Sequence, residues 1–252
     1  MMISVEKGYV VVLGIMMVLL SGCQLLTPLE FYRSQDSMKK GVGIALHGSS
    51  DVRPTLEALN VDWFYTWGAI PPEKIPKEVE FIPMIWGRWT ANEEYLSKIT
   101  PDKYSALLGF NEPDQHEQSN MSVEEALELW PKLMATGMRL GSPAGVHPDG
   151  EWMKRFMKEI DARGYRVDFI TVHSYKGSSS RYFLWWLKKI HKMYNRPIWI
   201  TEFAVGDWDA YDGRKNRHSP ETIYKYMKQV LPALEKRDYI ERYAWYSDIP
   251  SE

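Results

Sequence analysis

From residue 41 onward, the hydrophobic and polar positions alternate between two kinds of stretch. Short runs of apolar, β-branched or aromatic residues, typical of buried strands, are separated by longer stretches with helical periodicity. That alternation predicts βα units and a parallel sheet. The predicted strands are Gly41–His47, Asp62–Trp67, Phe81–Trp86, Ala106–Asn111, Arg139–Ala144, Phe169–Tyr175, Pro197–Phe203 and Arg242–Tyr246. Eight strands in one such series predict a compact (β/α)8 TIM barrel of the α/β class.

Several predicted helices carry recognisable end signals. Serine caps open the helices predicted at 122–137 and 220–237, and in the first of these Glu125 completes a capping box. Gly164 follows the helix predicted at about 150–163, as a C-cap glycine would. Only six residues follow the eighth strand, so an eighth helix is predicted to be missing. We expect either that another segment, such as residues 24–39, closes the bottom of the barrel or that the gene product is shortened.

The start of the chain has the pattern of an export signal. Residues 9–20 form an uncharged apolar run after Lys7, too short for a membrane span and right for a signal-peptide core. The run leads into Leu20–Cys23 (LSGC), which resembles a bacterial lipobox. We therefore expect a lipid on Cys23, of the palmitate type, that holds the exported protein on the bacterial cell envelope, at the outer membrane in a Gram-negative organism. The predicted segments are the signal peptide 1–22, the lipidated cysteine and tether 23–39, and the barrel 40–252.

The charge balance and the aromatic content narrow the choice of partners. The formal net charge is −2, from 31 basic and 33 acidic residues, and no basic stripe is present. Nucleic acid is therefore not an expected partner. The chain also has 11 Trp and 15 Tyr. Aromatic faces of this kind either fill a core or stack on sugar rings, and both uses are expected here.

Two glutamates stand at the ends of predicted strands. Glu112 directly follows Asn111 at the tip of the fourth strand, and Glu202 lies at the tip of the seventh. Catalytic groups of a (β/α)8 barrel lie at the carboxyl ends of its strands, whatever their separation along the chain. A charged side chain at the end of an apolar strand is costly to desolvate unless it has partners or a function there. The pair predicts a two-carboxylate active site.

The motifs around these glutamates resemble a known family. Gly109–Asp114 (GFNEPD), Val172–Tyr175 (VHSY) and Thr201–Ala204 (TEFA) are similar to glycoside hydrolase family 128, the Asl1-like catalytic domain, within the clan of retaining barrel glycosidases. The resemblance covers roughly residues 40–248 and implies a (β/α)8 glycosidase. It also implies a substrate, since members of this type hydrolyse or bind β-1,3-glucan.

The resemblance also implies roles for individual residues. Glu112 matches the general acid/base and Glu202 the nucleophile of a double displacement. Glu112 must hold a proton for the leaving oxygen, whereas Glu202 must stay ionised to attack the sugar. Tyr175 is expected to donate a hydrogen bond to Glu202, and Asn111 to hold the sugar 2-hydroxyl.

Other candidates for substrate binding follow from their places on the strands. His173 lies two residues before Tyr175 and therefore points to the same side, either as a sugar ligand or as a core histidine. Aromatic platforms for sugar rings are expected from tryptophans at strand ends and in the loop after Glu202, with one further histidine after the first strand. These candidates are Trp67, Trp86, Trp245, Trp208 and His47.

Several other chemistries are not indicated. The chain lacks a two-histidine zinc spacing, a Gly-x-Ser-x-Gly elbow and a glycine-rich phosphate loop. Asp207, Asp209 and Asp212 depart from the spacing of a calcium loop and indicate ordinary loop acidity. We therefore expect no cofactor and no metal, and a monomer. The leading prediction is a β-1,3-glucanase. The alternatives are a glucan-binding lipoprotein with weak or no hydrolysis and a barrel glycosidase for another β-glycan.

Overall fold

The computed structural model describes residues 37–46, 51–207, 210 and 216–246, together with the backbone of residues 9–12 and 31–34. Three of the predicted functional residues, Cys23, His47 and Trp208, lie outside the described residues, as does most of the predicted signal peptide. The lipid anchor and the roles of His47 and Trp208 therefore remain predictions.

Ten strands lie within the described residues. They are β1 (Tyr9–Val12), β2 (Phe31–Ser34), β3 (Lys40–Gly43), β4 (Trp63–Tyr65), β5 (Glu80–Phe81), β6 (Ala106–Leu107), β7 (Arg139–Leu140), β8 (Ile170–Ser174), β9 (Ile198–Phe203) and β10 (Ile240–Trp245). Strands β3 to β10 match the eight predicted strands in order. Most are shorter than the predicted runs, because the far ends of several runs pair through single bridges rather than continuous ladders.

The eight strands pair side by side in parallel around a ring. One sheet has the order β5-β4-β3-β10-β9-β8, and β6 pairs with β7 in a second, short sheet. Two parallel bridges connect these sheets. The bridge between Met84 and Leu108 joins the β5 edge to the β6 edge, and the bridge between Gly141 and Phe169 joins the β7 edge to the β8 edge. The first and last strands of the series, β3 and β10, are also hydrogen-bonded in parallel. The predicted (β/α)8 class is confirmed.

Six α-helices cover the outside of the strands in the described residues. They are α1 (Arg53–Leu59), α2 (Glu93–Leu96), α3 (Val123–Ala135), α4 (Glu151–Ala162), α5 (Ser180–Tyr194) and α6 (Pro220–Glu235). The barrel is irregular on one side: residues 66–79, between β4 and β5, are all described and contain no α-helix, and α2 has only four residues. Residues 247–252 lie outside the described part, so the missing eighth helix remains a prediction.

The predicted helix ends are confirmed. Ser122 and Glu125 form the capping box of α3, with each side chain bonded to the other residue's backbone N–H. Ser219 caps α6, and Pro220 occupies its first turn. After α4, Gly164 adopts a left-handed φ of 63°. These local signals could be recognised in the sequence because each satisfies backbone groups that a helix end leaves without partners.

Aromatic rings fill the inside of the barrel. Phe169 of the bridge to β8 stacks on Trp199 of β9 with ring centroids 4.1 Å apart, and Trp63 of β4 lies 5.6 Å from Trp199. Gly41 of β3 makes room for this layer, because a Cβ atom there would lie 2.2 Å from the Trp63 ring. Arg242 of β10 adds its guanidinium 4.4 Å from the Trp199 ring centroid. The interior is therefore closed below the site by packed rings and one arginine.

The residues just before β3 lie against the end of α6. The Lys39 ammonium donates hydrogen bonds to the carbonyl oxygens of Glu235 and Arg237, both at 3.0 Å, and Ser37 donates to the Glu235 carboxylate. These contacts place the last residues of the predicted tether at the amino-terminal end of the strands, opposite the predicted site. Further upstream, β1 and β2 pair antiparallel. Within the described residues, no helix combines the length and apolar character needed to cross a bilayer.

Candidate active site

The two predicted glutamates meet at the carboxyl ends of the strands. Glu112 follows the bridge between Asn111 and Ala144, and Glu202 lies within β9. One oxygen of each carboxyl group and the Nδ1 atom of His173 all lie within 4.8 Å of one another. The side chain of Glu112 is 13% exposed and that of Glu202 is 7% exposed. Both carboxyl groups are largely removed from water, and Glu112 keeps the larger exposed fraction.

An extra residue in β9 directs Glu202 toward the site. Ile200 pairs with Val172 of β8, but the next pair joins Glu202 with His173, so β9 advances two residues while β8 advances one. The pairing with β10 on the other side shows the same insertion. Between the Tyr243–Ile200 pair and the Trp245–Phe203 pair, β9 advances three residues and β10 advances two. A β-bulge of this kind shifts the alternation of side chains by one. It allows Glu202 to face the site while Phe203 faces the helices.

Glu112 is held in an unusual backbone conformation. Its φ is 41°, in the left-handed region that non-glycine residues rarely occupy, and its N–H donates to the Ala144 carbonyl at 2.8 Å. The following loop is fixed by Asp114, whose carboxylate accepts from the N–H groups of Val146 at 2.8 Å and His147 at 3.0 Å. Backbone strain that the surrounding structure maintains is common at functional positions. Here it directs the Glu112 carboxyl across the barrel mouth.

Three donors surround the Glu202 carboxylate. Trp67 donates its indole N–H to Oε1 at 2.7 Å, and Tyr175 donates its hydroxyl to Oε2. Tyr65 shares its hydroxyl proton between the same Oε1 at 3.2 Å and the carbonyl oxygen of Thr201 at 3.0 Å. Burial, together with the negative charge of Glu202, raises the pKa of both tyrosines, so their hydroxyls keep their protons. Hydrogen bonds to a carboxylate favour its ionised form. The arrangement suits a glutamate that must be an anion.

His173 lies between the two carboxyl groups. Its Nδ1 atom is 2.9 Å from Oε1 of Glu112 and 3.5 Å from Oε2 of Glu202. Burial lowers the pKa of His173, but the charge of Glu202 and the hydrogen bond to Glu112 raise it more, so the net shift is upward. His173 is therefore positioned to exchange a proton with either carboxyl group.

Asn111 has an oxygen free to meet a ligand. Its side chain is buried, and its amide nitrogen donates to Oε1 of Gln118 at 3.2 Å. Among the described residues, its Oδ1 atom has no hydrogen-bond partner. A buried oxygen without a donor lowers the stability of the fold unless a ligand or a water molecule donates a hydrogen bond to it. The position is compatible with the predicted contact to a sugar hydroxyl.

The predicted tryptophans are used in three different ways. Trp67, with a left-handed φ of 56°, contacts Glu202 directly. Trp86 packs partly buried against the aromatic layer inside the barrel. Trp245 packs outward, 5.1 Å from the ring of Phe203 and 6.5 Å from that of Tyr226, so the structure does not bring it to the site.

Sequence reasoning missed four residues at this site: Tyr65, Asp114, Gln118 and Tyr246. Tyr65 could have been found, because it alternates with Trp63 and Trp67 along one face of the predicted strand 62–67. Tyr246 lies edge-on to Trp67 at 5.9 Å and to Tyr175 at 5.3 Å, next to the predicted Trp245. The part played by Gln118 depends on the fold of its loop, for which the sequence carries no signal.

Glu112, His173 and Glu202 also form the one group of described residues whose ligand atoms converge as a metal site requires. Their surroundings favour a different use. Both oxygens of Glu202 already accept hydrogen bonds from protein donors, which favours a free carboxylate over a metal ligand.

The aspartate loop that was compared with a calcium loop is only partly described. Asp207 accepts a hydrogen bond from the N–H of Arg217 at 2.8 Å, and Asp209 and Asp212 lie outside the described residues.

Comparison with known proteins identifies the family. The sequence model of the protein family described as glycosyl hydrolase catalytic core matches residues 43–252. A GH128 (subgroup I) endo-β-1,3-glucanase from Amycolatopsis mediterranei, solved with laminaritriose, is 40% identical, with a TM-score of 0.75 over 84% of this chain and 89% of that one. The chain belongs to glycoside hydrolase family 128. The resemblance carried by the GFNEPD, VHSY and TEFA motifs is thereby confirmed.

Other relatives include an exo-acting GH128 enzyme and a longer protein. A subgroup III curdlan-specific exo-β-1,3-glucanase from Blastomyces gilchristii is 30% identical, with a TM-score of 0.64 over 83% of this chain and 90% of that one. The alkali-sensitive linkage protein 1 of Schizosaccharomyces pombe is 26% identical over 202 residues, which are 74% of this chain and 34% of that protein. The chain thus spans about a third of the length of that curated relative.

The contact between Trp67 and Glu202 in this GH128 protein leads to a prediction. Trp67→Phe keeps an aromatic ring but removes the N–H donor to Oε1. A hydrogen bond to a charged group contributes about 1.5–3 kcal/mol, so kcat/KM is expected to fall roughly 10- to 100-fold. Steady-state rates on a laminari-oligosaccharide measure the effect.

The matched control is Trp89→Phe, since Trp89 is 64% exposed on the loop after β5. It should leave the rate unchanged. An unchanged rate in the Trp67 variant would mean that the indole N–H does not assist Glu202.

Proposed function

We propose that this protein is an endo-acting, retaining β-1,3-glucanase with Glu202 as nucleophile and Glu112 as general acid/base. The observation that carries the proposal is the approach of the two carboxyl groups, with an oxygen of each within 4.8 Å. Retaining glycosidases place their carboxyl groups about 5–5.5 Å apart, whereas inverting enzymes need about 6.5–9.5 Å to admit a water molecule. The short gap favours attack by the protein over direct attack by water.

The first chemical step forms a covalent intermediate. Glu202, held in place by hydrogen bonds from Trp67, Tyr65 and Tyr175, attacks the anomeric carbon as the glycosidic bond breaks. Glu112 delivers its proton to the departing oxygen, and the sugar becomes an ester of Glu202. Asn111 Oδ1 accepts a hydrogen bond from a sugar hydroxyl near the reacting carbon.

The second step returns the enzyme to its starting state. Glu112, now ionised, removes a proton from water, which attacks the anomeric carbon and releases Glu202. His173 Nδ1 lies 2.9 Å from Oε1 of Glu112 and 3.5 Å from Oε2 of Glu202, so it contacts both carboxyl groups through the two steps. Each step uses only groups of the protein and one water molecule.

The substrate assignment rests on the relatives. The structure solved with laminaritriose is that of an endo-β-1,3-glucanase and is 40% identical, against 30% for the curdlan-specific exo-acting relative. That difference favours endo cleavage of β-1,3-glucan over exo cleavage. The glucan-binding alternative is less favoured, because both glutamates and the donors to Glu202 are in place.

The cellular location is part of the same proposal. A lipid on Cys23 would hold the glucanase on the bacterial cell envelope, as the LSGC motif and the apolar run before it suggest. Mass spectrometry of the N-terminus of the protein from membranes tests this. An unmodified cysteine there, or an unprocessed chain beginning at Met1, would remove the anchor from the proposal.

The activity is tested by products and their stereochemistry. We expect release of a series of oligosaccharides from curdlan and laminarin, and little release from xylan, mannan or cellulose. Proton NMR at early times should show the β-anomer first, because two displacements retain configuration. Release of glucose alone would indicate exo action, and an initial α-anomer would exclude the double displacement. Retention on curdlan without any release would support the binding protein instead.

A further inference from the structure

An exposed aromatic pair lies on α5, near the mouth of the barrel. Tyr182 and Trp185 are 46% and 56% exposed, and their ring centroids lie 5.6 Å apart with the planes tilted by 39°. They are three positions apart and therefore share one face of the helix. The pair belongs neither to the packed core nor to the contacts around Glu202.

The start of α5 follows closely after residues of the active site. β8 ends at Ser174, Tyr175 contacts Glu202, and α5 begins at Ser180. Between them, Lys176 places its ammonium 5.5 Å from the Tyr182 ring centroid. The aromatic pair thus lies at the same end of the barrel as the catalytic carboxylates.

Two shallow depressions beside the pair have a lining suited to a sugar chain. One, of about 530 Å³, is lined by Ser179, Arg181, Tyr182 and Trp185, and the other, of about 400 Å³, shares Ser179 and Arg181 with it. The second depression adds hydroxyl, amide and ammonium groups from Ser178, Ser180, Thr222, Lys225 and Gln229. Neither lining includes a carboxylate. Aromatic faces flanked by hydrogen-bonding groups match a neutral, polyhydroxylated ligand.

We propose that Tyr182 and Trp185 form a second, non-catalytic binding site for a β-1,3-glucan chain at the rim of the barrel. The proposal rests on the proposed function for the identity of the glucan. A sugar ring stacks on each exposed aromatic face, and the neighbouring polar groups bind its hydroxyls. An insoluble chain held there stays close to the cleft between successive cleavages. Short soluble oligosaccharides occupy the cleft alone and do not need the rim.

The test separates binding to polymer from cleavage of short chains. In the full chain, Tyr182→Ala with Trp185→Ala should weaken retention on insoluble curdlan about tenfold, which corresponds to about 1.4 kcal/mol. The same variant should hydrolyse laminaripentaose within about twofold of the unaltered protein. Sedimentation with curdlan gives the first quantity and reducing-sugar release the second. Met193→Ala is the matched control, because Met193 is exposed on the far end of α5.

Each outcome decides the proposal. Unchanged curdlan retention in the double variant, or in Trp185→Ala alone, overturns it. Equal losses on curdlan and laminaripentaose, at an unchanged melting temperature, also overturn it, because the pair would then belong to the cleft. Retention by an anionic polysaccharide instead of curdlan would assign the patch to its basic groups, against the proposal. If the unaltered protein cleaves no glucan but binds curdlan through the pair, the rim site stands while the proposed catalysis fails.

Discussion

Glu202→Gln is expected to lower kcat on laminarin by roughly 10⁴-fold or more, the range found when a nucleophile is removed from an enzyme that forms a covalent intermediate. The reason is chemical, because an amide of nearly the same shape cannot attack the anomeric carbon. Binding of laminari-oligosaccharides should change little, since the aromatic surroundings remain and only one atom is replaced. Initial rates measure the loss of turnover, and titration calorimetry measures the affinity.

The matched control for this variant is Glu151→Gln, which makes the same chemical change at a side chain that is 93% exposed on α4. It should retain full activity. If Glu202→Gln also retained full activity, Glu202 would not be the nucleophile and the double displacement would have to be abandoned. A parallel loss of affinity and melting temperature would instead show that the three donors around Glu202 need a charged partner to stay in place.

The parts of the fold that the sequence predicted are those governed by local rules. The capping box of α3 and the serine cap of α6 each satisfy backbone groups through residues close in sequence, so short patterns were sufficient. The eight strands could be counted because strands buried on both faces are continuous apolar runs. Strand ends were predicted less well, since Met84 and Gly141 pair only through single bridges that depend on the neighbouring strands.

The positions of Glu112 and Glu202 could be predicted because a barrel gathers the carboxyl ends of all its strands at one face. Which aromatic residue faces that site could not be predicted from hydrophobicity. In β10 the charged Arg242 faces the barrel interior, against Trp199 and Trp63, while Trp245 faces the helices. Hydrophobicity would place a charged residue outside, so it assigns the inner and outer faces of β10 the wrong way round. Tyr246 rather than Trp245 therefore reaches the site.

The role of Trp67 shows a second limit of sequence reasoning. Its place at the end of the second predicted strand suggested a flat platform for a sugar ring. Its left-handed backbone instead directs the indole N–H to Glu202 at 2.7 Å. No sequence pattern predicts a left-handed tryptophan, since bulky residues rarely adopt that conformation. Such exceptions are expected at functional sites, where the surrounding structure can compensate for local strain.

Glu112→Ala is expected to lower kcat on laminarin by about 10²- to 10⁴-fold, the usual contribution of a general acid or base. The loss should be much smaller on an aryl β-laminaribioside with a nitrophenolate leaving group, because that oxygen departs without a proton. Attack by Glu202 then proceeds, and the covalent intermediate accumulates because no base activates water. Adding sodium azide should restore turnover, since the anion needs no deprotonation and fits the space left by the carboxyl group.

The azide product identifies the role of each glutamate. In Glu112→Ala the azide displaces Glu202 from the covalent intermediate, so the glycosyl azide should have the β configuration after two inversions. In Glu202→Ala the azide would attack the substrate directly and give the α product after one inversion. The coupling constant of the anomeric proton distinguishes the two. An α-azide from the Glu112 variant would mean that Glu112 is the nucleophile and Glu202 the general acid/base. Equal losses on laminarin and the aryl substrate, without rescue, would mean that Glu112 transfers no proton.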